Sequence, residues 1–177
     1  MSTPNLSYPV GPFEPSGDTS ASQRQEWMQT IAQFPTQMRA VVAGLNEEEL
    51  QWRYRPQGWT IRQVVHHCAD SHLNAYTRFK LALTEKNPTI KPYEEARWAE
   101  LPDSKLPLEP SLQLLEGLHQ RWYTLLQNMT DAEFERTFSH PEHGTLFSLS
   151  LTLENYDWHC RHHEAHIHQA RTQRFSE

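Results

Sequence analysis

The residues best suited to chemistry lie between Trp158 and His168. This stretch, W-H-C-R-H-H-E-A-H-I-H, holds five of the chain's eleven histidines. Imidazole titrates near neutral pH and is a strong ligand for divalent transition metals. On an α-helix, residues four apart stand one above the other. Two pairs here have that spacing, His159/His163 and His162/His166. The first shares its stripe with Tyr156, Cys160, Ile167 and Ala170, which reads as an inward face. The second shares its stripe with Asn155 and Gln169 and reads as wetter, although Trp158 and Ala165 also lie on it. Two inward imidazoles one turn apart suit a cation better than an apolar core, because each buried ring nitrogen needs a partner. The competing reading is a solvated, His-rich helix face. A metal requires a third ligand from elsewhere in the chain.

The candidate is His67, in G-W-T-I-R-Q-V-V-H-H-C-A-D-S-H-L-N. Thr60 is a good N-cap, and the pattern predicts a helix from there to about Thr84, ended by Asn87-Pro88. Val64, Cys68, Ser71, Ala75 and Phe79 recur at helical spacing. His67 lies on that face beside Val64 and Ser71, and His66 is rotated away from it. A lone histidine on such a face is more often a hydrogen-bonded core residue than a ligand. The separate pair near the C-terminus is what raises the metal reading above it.

Two other long helices complete the set. Residues 20–43 carry Trp27, Ile31, Phe34, Met38 and Val41 at helical spacing behind a cap at Ser20 or Ser22, with Pro35 expected to kink or divide the helix. A third helix runs from Pro110 or Ser111 to about Met129, and the histidine-bearing helix spans Leu149–Thr172. Residues 1–19 form an irregular arm that Tyr8, Val10 and Phe13 can pin to the body. Lys86–Pro110 is a Pro-rich crossover with one short helical piece, Tyr93–Glu100. Thr130-Asp131-Ala132-Glu133 is a capping box. The stretch after it, with His140 and His143, reads as a loop with short extended pieces. The arrangement predicts an all-α, single-domain four-helix bundle over 1–177, and bundles build metal sites from inward side chains on facing helices.

Composition excludes several classes. The chain has 177 residues, enough for one domain with a sizeable core, and a net charge of −6 with mixed signs. It has no basic patch for nucleic acid and no apolar run long enough for a bilayer. The first fifteen residues lack the pattern of a secretory signal, which predicts a cytoplasmic protein. Two cysteines, Cys68 and Cys160, are no disulfide framework. The 19 aromatic residues can supply core or pocket walls.

W-T-I-R-Q-V-V-H-H-C-A-D-S-H-L-N, F-K-L-A-L-T-E-K-N-P-T-I-K-P-Y and the terminal W-H-C-R-H-H-E-A-H-I together resemble the DinB superfamily, and within it the YfiT-type metal-dependent hydrolases. Y-P-V-G at Tyr8 and G-L-H-Q-R-W at Gly117 extend the resemblance over most of the chain. It implies a four-helix bundle, a homodimer, and a three-histidine site for a divalent metal, commonly zinc or nickel. Residue by residue, the implied ligands are His67, His159 and His163, the same choice as the stripe reading. Cys68 stands where relatives often have an aliphatic residue. Three imidazoles leave coordination positions open, as in catalytic sites. The expected function is therefore hydrolysis of a small molecule by metal-activated water. Superfamily relatives that use low-molecular-weight thiols such as bacillithiol make thiol S-transfer the alternative, and a non-catalytic, metal-stabilised bundle is the third reading. Asp70 could orient a ligand or serve the surface. Glu164 is not assigned as a base, because no H-E-x-x-H spacing exists here.

Overall fold

The computed structural model describes residues 5–142 and 144–175. His143 lies outside them. Helix α1 spans Ala21–Val42, α2 Ile61–Thr84, α3 Glu95–Trp98, α4 Glu109–Gln127, α5 Asp131–Phe134 and α6 Leu149–Gln173. The starts are sealed as their sequences require. Ser20 accepts from the Gln23 amide, Ser148 accepts from the Leu151 amide, and Thr60–Gln63 and Thr130–Glu133 form reciprocal capping boxes. Pro35 sits within α1 without dividing it.

The four long helices form the bundle. Helix α1 packs against α4 and α6, and α2 packs against the same two from the opposite side. Consecutive helices α1 and α2 are thus diagonal, and the crossover carries the chain from α2 to its neighbour α4. Residues Ile31, Phe34, Met38, Phe79, Leu115, Trp122, Leu126, Leu153 and Ile167 fill the centre. The segment after α5 forms a definite antiparallel hairpin, β1 Thr137–His140 and β2 Thr145–Ser148, with Phe138 opposite Phe147. The crossover holds α3 and a 3₁₀ turn at Pro102–Lys105. It is tied to α2 by Arg62, which donates to the Leu106 carbonyl at 2.7 Å, and by His66, whose ring meets the Leu106 carbonyl at 3.1 Å and, at the start of α4, Ser111 Oγ at 2.7 Å. His66 is rotated away from the core face, as its position requires, but the crossover buries it. No helix among the described residues is long and apolar enough to cross a membrane.

Candidate metal centre

Because α2 and α6 are neighbours in the bundle, His67 on the first faces His159 and His163 on the second. One ring nitrogen from each of the three lies within 4.8 Å of the others. The His159 and His163 rings are 4.3 Å apart, and His67 lies 5.4 Å from the first and 4.8 Å from the second. Trp59, just before the cap of α2, covers His67 at 4.5 Å. The centre opens to a cavity of 560 Å³ that Tyr93, Arg78, Arg55 and Trp158 help to line.

Burial sets the protonation of these rings. It pushes His67 down to about 4 and His159 and His163 well below the ordinary imidazole value, with neighbouring histidines adding to the shift. All three are therefore neutral at pH 7, the form that ligates a metal. Ser71, one turn after His67, places its hydroxyl 3.3 Å from His159 Nε2 and 3.1 Å from the Tyr156 hydroxyl, which itself donates to the Ser71 carbonyl at 3.0 Å. Three neutral imidazoles from two helices, with open space on one side, fit a borderline divalent cation such as Zn²⁺ or Ni²⁺.

His162 and His166 are buried, not solvated as their stripe suggested. The N-terminal arm covers them. The Tyr8 ring lies 5.8 Å from His162, and His166 Nε2 reaches the Ser7 carbonyl at 3.3 Å. Tyr54 stacks on His166 at 3.8 Å. The arm is held by Trp158, which donates to the Gly11 carbonyl at 3.0 Å, and by Phe13 against the Trp158 ring, whereas Val10 is exposed. His162, His163 and His166 form a second group of close nitrogens. All three come from one helix, whereas the first set draws its donors from two helices that face each other.

Two further histidines join the site that spacing did not single out. His72 Nε2 lies 3.0 Å from His159 Nδ1, and His72 Nδ1 lies 2.7 Å from His119 Nε2 on α4. The advance signals for His119 were a histidine on the otherwise apolar stripe of the third long helix and its place in G-L-H-Q-R-W. The remaining candidates stay outside. Among the described residues no hydrogen bond links Asp70 to His67; burial, and then Asp103, raise its carboxyl to about 6. Glu164 is half-buried, 3.8 Å from His168. Cys68 and Cys160 are buried in the core, and burial pushes both thiols up, so neither is a nucleophile at neutral pH. His140 belongs to β1 and lines the cavity wall.

A bundle in which facing helices supply three imidazoles defines a class, and comparison with known proteins agrees with it. The chain belongs to the DinB superfamily, whose model matches residues 30–167. It is 50% identical over 163 residues to a Bacillus mycoides (strain KBAB4) protein named "Putative metal-dependent hydrolase", covering 92% of this chain and 94% of that one. A relative of the same name from Oceanobacillus iheyensis is 49% identical with the same coverage. The fold superposes on YfiT from Bacillus subtilis with a TM-score of 0.92 and 45% identity, over 96% of this chain and 97% of that one. That protein is described as "a probable metal-dependent hydrolase with an unusual four-helix bundle topology".

Proposed function

We propose that this chain is a metal-dependent hydrolase whose divalent cation, zinc or nickel, is held by His67, His159 and His163. The observation that carries the reading is the meeting of three neutral ring nitrogens, from two helices, at an open cavity. The names of the relatives support hydrolysis as the reaction. When bound, such a cation supplies a Lewis acid and brings the pKa of a coordinated water to about 7. The protein's part is to keep the three donors neutral, by burial, and to present them at the cavity wall, where a bound cation would be within reach of a substrate. Arg55, Arg78, Glu95 and Glu142 put charges of both signs on its walls, which suits a polar substrate. The family resemblance supports a homodimer, and light scattering on the purified protein tests it.

The deciding experiment is metal analysis of untagged protein, followed by cobalt substitution and titration with a small thiol. Bound metal, no thiolate charge-transfer band, and hydrolysis of an ester or amide panel that disappears in His163→Ala support the hydrolase. A charge-transfer band at low thiol concentration turns the reading to thiol S-transfer. A closed coordination shell without exchangeable water turns it to a structural metal.

A further inference from the structure

A proline inside a helix removes one amide donor, so the carbonyl four residues earlier loses its helical partner. In α1 that proline is Pro35 and the carbonyl is Ile31. The freed oxygen is not left empty, because His119 Nδ1 lies 2.5 Å from it. His119 and His72 are 1% and 0% exposed, and the Phe34 ring, between Ile31 and Pro35 in sequence, stacks against both. The contacts then continue in one line, from His119 Nε2 to His72 Nδ1 at 2.7 Å and from His72 Nε2 to His159 Nδ1 at 3.0 Å.

We infer that His119 and His72 are positioning residues, a relay anchored on the Ile31 carbonyl that fixes which nitrogen of His159 meets the metal. The inference rests on the proposal that His159 is a ligand. The direction of the relay follows from its anchor. A carbonyl can only accept, so His119 carries its proton on Nδ1 and offers Nε2 as acceptor. His72 must then donate from Nδ1 and accept at Nε2. His159 must donate from Nδ1, which leaves the Nε2 lone pair bare. No carboxylate stands among these contacts to favour a charged ring, and in a buried neutral chain this is the only assignment that satisfies every bond. The Nε2 so exposed is the atom that Ser71 Oγ approaches at 3.3 Å. The relay ends at a carbonyl that has no proton to give, so its work is to orient and not to shuttle protons. His163 is held in the same sense by a shorter and looser line. His166 donates from Nε2 to the Ser7 carbonyl at 3.3 Å and presents Nδ1 to His163 Nδ1 at 3.4 Å.

The test has two parts, both on the full chain. In the zinc-free protein, ¹⁵N NMR of the histidine rings is expected to show His119, His72 and His159 protonated on Nδ1 and bare on Nε2. A proton on His159 Nε2 overturns the relay. Zinc affinity is then measured by chelator competition for His119→Leu, which removes the acceptor, and His119→Gln, whose amide oxygen can replace it. Loss of such a supporting partner is expected to weaken zinc binding about 10–100-fold in the Leu variant, with Gln returning to within about threefold of wild type. Equal affinity in wild type and Leu variant overturns the inference, as does equal weakening in Leu and Gln. His159→Ala tests the underlying ligand assignment separately: full zinc binding by that variant overturns the assignment, whatever the ring protonation proves to be.

Discussion

Acid should unfold the metal-free protein far sooner than a domain of this size would otherwise suggest, and the histidines set the scale. Eight of them are shifted below their ordinary 6.5, in each case mainly by burial: His66, His67, His72, His119, His159, His162, His163 and His166. Of these, His67, His119 and His162 fall to about 4 and His166 to about 3. Between pH 6.5 and 4 the unfolded chain therefore binds protons that the native chain refuses. Stability is complete above 6.5 and is lost as the pH falls through that window. From pH 7.5 to 5.5 each group held at about 4 or below costs about 1.4 kcal/mol, so His67, His119, His162 and His166 together cost about 5–6 kcal/mol, and the other four add to that loss in the same direction. Asp70 opposes them as a single group, because its carboxyl is raised and so favours the native state as protons are added. A domain has about 5–15 kcal/mol to lose. The expected unfolding midpoint in chelator is therefore between about pH 5 and 6. Zinc at one hundred times its Kd adds about 2.7 kcal/mol and moves the midpoint down by a fraction of a pH unit. The assay is thermal and denaturant unfolding followed by circular dichroism, with chelator or zinc, from pH 7.5 to 4.5. An unchanged Tm at pH 5.0 in chelator would refute the reasoning, since it would mean that these rings titrate normally in the folded chain.

Three other perturbations separate the parts of the site. Replacing His163 with Ala removes one of the three proposed metal donors and should weaken zinc binding by about 3–4 kcal/mol, from the strength of zinc–protein sites shared among their ligands; His162→Ala should retain most of it, and equal losses by calorimetry would mean the wrong pair had been chosen. Pro35→Ala restores an amide to compete for the Ile31 carbonyl, so it should lower zinc affinity about threefold to tenfold without lowering Tm, although residue 35 touches no ligand; unchanged affinity would count against the relay's anchor. Thr60→Ala opens the capping box of α2, the helix that carries His67, and should cost about 1 kcal/mol in urea unfolding.

The helices, their caps and the stripes that carry His67, His159 and His163 were legible because they depend on local spacing. Ser20, Thr60 and Thr130 cap by reaching amides three residues away, and a period of 3.6 puts His159 over His163 whatever surrounds them. Burial of His162 and His166 was not legible. It is supplied by Ser7, Tyr8 and Tyr54, more than a hundred residues distant in sequence, and no stripe on α6 records a segment that folds over it. The same holds for His66, buried under a crossover whose path its own helix does not determine. Pro35 read as a defect in α1, since a sequence registers only the missing amide. What the amide's absence is used for depends on α4, which packs beside α1 and brings His119 to the freed carbonyl. By itself the sequence determined which atoms could ligate a metal and on which helices they stand. Only the tertiary structure decided which nitrogens face one another, because that is set by hydrogen bonds between helices that are remote in the chain.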